Sequence, residues 1–193
     1  MALVIAVVGV FGTLTAPMLT QSIAARAREA EAESRRRDRA QERADEERRS
    51  ALAEKRAVYV ELNAVARQFR TASHDRLRAA RRGVSPLPDV EEARQAFRVA
   101  YSKAQMIMPD RTLAVVAEAN LCLTHGYRLV KDLTVDDLAE STREWFEGPM
   151  MEAVQMLRAA LREDLGVAEP ISDIDDQVSR LRAARSDLPV ETS

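Results

Sequence analysis

The sequence contains few cysteine, glycine and aromatic residues, and their scarcity excludes several classes of protein. Cys122 is the single cysteine, so the chain cannot form the intramolecular disulfides of a small secreted scaffold. Six glycines and 4% aromatic residues are too few for the turns and β-forming residues of a sandwich or barrel. The 29 Lys and Arg residues are balanced by 31 Asp and Glu residues, and the net charge is −2. The chain therefore lacks a basic field, and we expect no nucleic-acid partner.

The N-terminal part of the chain changes abruptly from apolar to charged side chains. Residues 2–25 carry no charged side chain, whereas residues 26–49 carry 17 in 24 positions. About 20 helical residues, at about 1.5 Å each, cross the ~30 Å hydrocarbon core of a bilayer. The sequence therefore predicts a transmembrane helix over residues 1–25, with the lipid bilayer as a partner. Gly12 and Ala16, four residues apart, form a small-residue pair at which two such helices can pack closely.

The flanking charges predict the orientation of this helix. Basic residues begin at Arg26, and none precedes the apolar stretch. Because basic residues resist translocation, we expect a single-pass protein of the cell membrane, with the N-terminus outside and the C-terminal body in the cytoplasm. A cleaved signal peptide is one alternative, given the small residues around Ser22 to Ala24, but it lacks a basic segment before the apolar run. A buried core helix is the other.

Residues 26–50 form a charged segment in which Ala is the only apolar residue. The segment therefore has no apolar stripe to bury. Ala, Glu and Arg are strong helix formers, and no Gly or Pro interrupts them. Opposite charges recur four residues apart, and each such pair stabilises a helix by about 0.2–0.5 kcal/mol. The pattern favours a solvated helical stalk, and a disordered charged linker is the alternative.

From Ala51 onward the apolar residues recur at alternating spacings of three and four, which predicts amphipathic helices. Breaks at Ser85 to Pro88, at Pro109 and at Thr134 divide them, and Gly166 is placed just after the last helix. The fold class is all-α: an N-terminal transmembrane helix, a long charged helix, then an antiparallel up-down four-helix bundle over residues 51–166. The residues predicted to face the core are Val58, Leu62, Val65, Phe69 and Ala72; Val90, Ala93, Phe97, Ala100, Ala104 and Ile107; Leu113, Val116, Asn120, Leu123, Tyr127 and Val130; and Leu138, Thr142, Trp145, Met150, Val154, Leu157 and Leu161.

Residues 167–193 are predicted to form a C-terminal tail with one short amphipathic helix, from Ser172 to Arg185. Its apolar seam suits either a groove of the bundle or a second copy of the chain. The seam consists of Ile171, Ile174, Val178 and Leu181.

No pattern of residues predicts catalysis or metal binding. Neither His74 nor His125 lies in the Glu-x-x-His motif that di-iron bundles need twice. Cys122 and His125 supply two ligands, where a structural zinc site needs four. Ser73, His74 and Asp75 are consecutive on a helix and point about 100° apart, so they cannot form a triad. We therefore expect no catalytic residue, no cofactor, no metal and no small-molecule substrate.

The sequence WFEGPMM, residues 145–151, interrupts the fourth predicted helix. Pro149 lacks a backbone donor and predicts a kink or a helix end near Trp145. Because Met-rich apolar surfaces adapt to different partners, Trp145, Phe146, Met150 and Met151 are a possible partner surface. Packing of these side chains in the core is the alternative.

Asn120 is the polar residue on the predicted seam of the third helix. A buried Asn can fix the register or the oligomeric state of packed helices. The alternative is that the helix is rotated, which places Asn120 at the edge of the core in contact with water.

Three segments resemble uncharacterised actinobacterial single-span membrane proteins. They are VGVFGTLTAPMLTQ over residues 8–21, the Arg/Glu run that follows, and AVYVELNAVARQFR over residues 57–70. The resemblance implies membrane anchorage and no activity.

Together these patterns predict a membrane-anchored helical interaction or scaffold protein without catalytic activity. Its partner is either a second copy of the chain, giving a homo-oligomer, or another protein. A membrane-tethered signal-relay or sensor module is the alternative.

Overall fold

The computed structural model is all-helical. It describes the backbone of residues 2–134, 140–169 and 174–186, and the side-chain surroundings of residues 28–29, 31–134, 142–169 and 174–186. Within these ranges there is no strand, and the chain divides into two compact units, Met1–Leu52 and Ala53–Ser193. The helices are α1 (Ala2–Arg81), α2 (Glu91–Ala104), α3 (Asp110–Lys131), α4 (Glu140–Glu147), α5 (Pro149–Asp164) and α6 (Ile174–Ser186).

The first unit contains the charged segment, which is helical as part of α1. Most described side chains of the charged segment are exposed, because Ala is the only apolar residue type in residues 26–50. Its acidic and basic side chains pair with each other along the helix surface. The described pairs are Glu31–Arg35 and Glu33–Arg37, both at 2.5 Å, and Asp45–Arg48 at 3.3 Å.

The membrane prediction concerns the first 25 residues. Within the described part of the chain, no helix combines the length and the apolar character that crossing a membrane requires. The predicted transmembrane helix over residues 1–25, with its Gly12–Ala16 pair, lies outside the residues whose side-chain surroundings are described.

In the second unit, α1 and α2 pack antiparallel. Lys103, near the end of α2, pairs with Glu61 of α1 at 3.2 Å. Phe97, closer to the start of α2, packs against Phe69, further along α1, with ring centroids 5.8 Å apart. Residues later in α2 therefore contact residues earlier in α1. This is the antiparallel packing that the predicted up-down arrangement requires.

The antiparallel arrangement continues with α3 and α5. Arg111, at the start of α3, pairs with Glu163, near the end of α5, at 3.1 Å. Asp164, the last residue of α5, pairs with Lys55 of α1 at 2.9 Å. The helical bundle is therefore confirmed, and its fourth arm consists of the two helices α4 and α5.

Two glycines end helices in the left-handed conformation that favours glycine. Gly83 and Gly166 have φ values of +63° and +67°. Two backbone hydrogen bonds cap the C-terminus of α5. The Val167 N–H donates to the Arg162 carbonyl, and the Gly166 N–H donates to the Glu163 carbonyl. The prediction that Gly166 follows the last helix of the bundle is confirmed.

The inward position predicted for Ile107 is wrong. The α2 helix ends at Ala104, and the chain turns so that the N–H groups of Ile107 and Met108 both donate to the Ala104 carbonyl. Ile107 is 41% exposed, and Met108 is buried in its place. Leu138, another residue of the predicted core, lies outside the described residues.

The buried face of α3 is wider than the predicted seam. Leu113, Asn120 and Tyr127 are half-buried at its edge. Because α3 contacts α4, α5 and α6, its buried face includes positions beyond a single seam. The apolar residues buried on α3 are Val115, Val116, Ala119, Cys122, Leu123, Gly126 and Val130.

The predicted tail over residues 167–193 is in part integrated into the second unit. Its helix, α6, packs against α3 and α5, with Ile174 and Leu181 buried. Val178 is partly buried against the same core. The predicted cap Ser172 and the seam residue Ile171 lie outside the described residues. The sequence left two surfaces open for this apolar seam, a groove of the bundle or a second copy of the chain. In the structure α6 packs in the groove of the bundle, against α3 and α5.

Candidate functional site

The residues predicted as a partner surface are mostly buried around the break between α4 and α5. Gly148 separates the two helices, and Pro149 is the first residue of α5, so the predicted interruption is confirmed. Trp145 is 2% exposed, and Phe146 and Met150 are buried with it, whereas Met151 is 42% exposed. The surface prediction is corrected for these three residues, because α4 and α5 both contact α3.

A glycine of α3 allows this close packing. A Cβ atom at Gly126 would lie 2.9 Å from Met150 Sδ and 3.2 Å from Trp145 Nε1. Because Met150 is fully buried, its side chain has little room to move away. Gly in a helix interior costs about 1 kcal/mol relative to Ala, and this penalty is the signal by which the sequence could have revealed the contact.

On the same helix as Gly126, Cys122 is buried and His125 is half-buried. Burial raises the pKa of the Cys122 thiol to about 12, and the negative charge of Glu118 adds to the rise. The thiol is therefore protonated at neutral pH, a form that neither attacks as a nucleophile nor binds a metal. Within the described residues, no group of three or more His, Cys, Asp or Glu residues is placed to hold a metal ion.

His125 packs against the indole of Trp145. The ring centroids are 4.6 Å apart, and His125 Nε2 and Trp145 Nε1 are both buried without a hydrogen-bond partner. Burial, and then the positive charges of Arg128 and Arg185, lower the pKa of His125. The neutral imidazole is therefore the form that this environment favours.

Glu118 connects the same region to α6 through two arginines. Arg182 Nε donates to Glu118 Oε2 at 3.4 Å, and Arg185 Nε donates to Glu118 Oε1 at 3.2 Å. The Glu118 side chain is only 4% exposed, so the two guanidinium groups supply the compensation that a buried carboxylate needs. Sequence reasoning missed this cluster, since an isolated Glu on a helix is usually a surface residue.

A second candidate site is a cavity of about 320 Å³ between α2 and α3. Asn120 is half-buried in the wall of this cavity. It therefore lies at the edge of the core, as in the second interpretation of its place on the seam. Its wall consists of Phe69 from α1, Arg94, Phe97, Arg98, Tyr101 and Ser102 from α2, and Asn120 and Thr124 from α3.

The two arginines of this cavity have different surroundings. Arg94 lies over the Tyr127 ring, with its guanidinium carbon 4.3 Å from the centroid, and donates to Glu91 at 3.0 Å. Tyr127 donates to the same carboxylate at 2.6 Å, and this hydrogen bond is the main cause of the lowered pKa of Glu91. Arg98 is exposed and meets no acidic partner among the described residues.

No family model, curated protein or solved structure matches the chain.

Proposed function

We propose that the chain is a membrane-anchored helical interaction protein. In this proposal residues 1–25 anchor it in the cell membrane, the charged segment is a spacer, and the body that begins at Ala53 binds a protein partner in the cytoplasm. The partner is a second copy of the chain or another protein.

The observation that carries the proposal is the exposed charged helix next to an uncharged N-terminal stretch. From residue 31 to residue 52 most side chains are exposed, and oppositely charged side chains pair within the helix. A helix without an apolar face cannot contribute to a core, but it remains soluble and helical through its own charge pairs. These are the properties of a spacer that holds a folded body away from lipid headgroups.

The body supports a role in binding proteins because it exposes apolar side chains in the second half of α2 and just after this helix. Met106 is 80% exposed, and Ile107 and Val99 are also exposed. A methionine side chain is flexible and polarisable, so it fits partner surfaces of different shapes. Since Trp145, Phe146 and Met150 are in the core, we assign the partner surface to Val99, Met106 and Ile107 instead.

The proposal gives Cys122 and His125 no catalytic role. Cys122 is a buried thiol whose pKa is raised by burial, and the half-buried His125 packs against the Trp145 ring. A nucleophile needs access to its substrate, and the Cys122 thiol is fully buried.

The test is partner capture with the full chain, solubilised from membranes in mild detergent after crosslinking. We expect Met106→Glu/Ile107→Glu to lower recovery of the specific partner at least tenfold, because charge on a contact surface opposes its desolvation. A second, differently tagged copy of the chain reports self-association in the same experiment.

The matched control is Val84→Glu/Val167→Glu, which adds the same charge at two other exposed valines. This control should retain the partner. Equal recovery from both double variants would contradict the assigned surface. Loss of the partner only when the apolar stretch is altered would instead assign binding to the N-terminal segment.

A further inference from the structure

We infer that the outward face of α1 over residues 53–75 binds the same face of a second copy of the chain, packed in parallel and in register. This pairing rests on the proposed role as an interaction protein and names one partner for it. It involves a different surface from Val99, Met106 and Ile107.

The part of α1 that belongs to the body has one face in the core and one face in water. Tyr59, Leu62, Ala66 and Phe69 are buried on the inward face. The members of the outward face are separated by alternating spacings of four and three, as are the a and d positions of a coiled coil. This outward seam consists of Ala53, Ala57, Val60, Ala64, Arg67 and Thr71, and all six are exposed.

The outward seam offers a surface that a second helix can fill. Val60 is 62% exposed, although it is an apolar side chain. An open groove of about 480 Å³ lies along the second half of the seam, lined by Ala64, Arg67, Gln68, Thr71, Ala72 and Asp75. Because the distance between packed helices depends on the side chains at their contact, the alanines of the seam allow a close approach.

The charges beside the outward seam complement those of a second copy in the parallel arrangement. With Ala57 and Ala64 at a positions, the residue before each a position meets the residue five positions later on the other helix. The resulting pairs are Arg56 with Glu61, Asn63 with Gln68, and Arg70 with Asp75 of the second copy. Asn63 and Arg70 are half-buried, and the other four are exposed. Since a twofold axis relates the copies, each pair forms twice, and no like charges meet on these flanks.

The same charges oppose an antiparallel pairing of this face. In antiparallel helices each flank meets the corresponding flank of the other helix, so Arg56 lies opposite Arg70. On the other side Glu61 lies opposite Asp75. Like charges then repel along both flanks, and the parallel arrangement is the one that the sequence of this face selects.

Two side chains of this face have a second effect on the pairing. Glu61 bonds Lys103 of α2 at 3.2 Å, but its side chain is 45% exposed. Because a carboxylate has two acceptor oxygens, Glu61 can keep Lys103 and accept from Arg56 of the second copy. Arg67 is the one charged residue in the outward seam, where it faces its own copy, so it fixes the register at a cost in stability.

The experiment measures the rate of disulfide formation between copies of the full-length chain in mild detergent, at a cysteine placed in the outward seam. In the parallel pair positions 57 and 71 each face themselves, so Ala57→Cys and Thr71→Cys should both crosslink. The native Cys122 is fully buried and does not compete. Ser102→Cys, at an exposed position of α2, is the matched control and should crosslink at least tenfold more slowly.

Substitutions added to the Ala57→Cys chain test the seam itself. Val60→Glu should slow crosslinking at least tenfold, because it places two negative charges at the contact. Val84→Glu adds the same charge at another exposed valine and should leave the rate unchanged. Arg67→Leu should raise the rate, since it removes the charge that faces its own copy.

Charge reversal on the two flanks, in the same Ala57→Cys chain, tests their complementarity. Arg56→Glu/Arg70→Glu and Glu61→Arg/Asp75→Arg each place like charges on both flanks. Either variant alone should therefore crosslink at least tenfold more slowly than the Ala57→Cys chain. A mixture of the two variants should crosslink again, between unlike copies, because opposite charges then meet on both flanks.

Three results would overturn the pairing. They are crosslinking at position 57 or 71 no faster than that of Ser102→Cys, equal rates for Val60→Glu and Val84→Glu, and a mixture no faster than its components. Loss of crosslinking only in Met106→Glu/Ile107→Glu would also overturn it, and would leave the surface assigned above as the one that binds the second copy. Loss in the α1 variants, with every partner retained by Met106→Glu/Ile107→Glu, would support the pairing and contradict the other surface.

Discussion

Replacing Arg182 and Arg185 together by glutamine is expected to release α6 from the body. The double change leaves the Glu118 carboxylate, 4% exposed, without either of its cations. Removing one side of a buried ion pair costs about 3–5 kcal/mol. We expect about 2–3 kcal/mol here, because the Arg182 side chain is 62% exposed and solvent weakens its contribution.

Modification of Cys122 by a thiol reagent measures this release. The thiol is fully buried, and its pKa of about 12 keeps it protonated, so the closed protein reacts slowly. Reaction then reports how often the region around α6 opens. A loss of 2.8 kcal/mol corresponds to about a hundredfold faster modification, at about 1.4 kcal/mol for each factor of ten.

Two further variants separate the ion pair from other effects of the mutations. Arg180→Gln removes a longer, more exposed pair with Glu152, at 3.6 Å, and should leave the rate unchanged. Adding Glu118→Leu to the double variant removes the uncompensated charge and should return the rate most of the way to that of the original chain. A double variant that reacts no faster than Arg180→Gln would show that Glu118 does not hold α6.

Trp145→Ala is expected to lower the free energy of unfolding by about 3–5 kcal/mol. Trp145 is buried against His125 and lies close to Gly126 and Met150, so truncation leaves a large cavity in the core. Urea unfolding followed by far-ultraviolet circular dichroism measures the loss. Fluorescence is unsuitable, since Trp145 is the only tryptophan.

Trp145→Phe should be much less harmful than Trp145→Ala. Phe keeps most of the apolar volume and removes the Nε1–H group, a buried donor without a partner, whose burial costs about 1–3 kcal/mol. Met151→Ala is the surface control and should change stability by less than about 0.5 kcal/mol. If Trp145→Ala were as mild as Met151→Ala, the tryptophan would belong to a surface, which is one of the two interpretations that the sequence left open.

The sequence predicts the helices well because their signals are local. Alternating spacings of three and four mark the amphipathic helices, and Gly166 marks the end of α5 through its left-handed backbone. The interruption at Pro149 is also local, since proline cannot donate within a helix. Each of these features is determined by residues within a turn or two of its position.

The interior contacts could not be predicted because their partners are distant in the chain. Glu118 meets Arg182 and Arg185, which lie 64 and 67 residues later. Trp145 is covered because Gly126 on another helix lets it approach. A periodic pattern shows which face of a helix is apolar, but not how many neighbours cover that face.

The cavity between α2 and α3 was missed for a related reason. Asn120 stood out as a polar residue on an apolar seam, and its position on the seam left two interpretations. The structure places it beside Tyr101 and Arg98 of α2. This juxtaposition depends on how the helices pack, which the apolar seam of a single helix does not show.

Membrane fractionation of the intact chain tests the central claim, tethering by residues 1–25, most directly. We predict that the chain remains in the membrane pellet after an alkaline carbonate wash and enters solution only with detergent. Val8→Leu/Val10→Leu should behave in the same way. Val8→Arg/Val10→Arg should move to the supernatant, because an arginine at the centre of a membrane helix costs about 2.5–3.5 kcal/mol. The unmodified chain in the supernatant without detergent, with Met1 still attached, would contradict the proposed anchor.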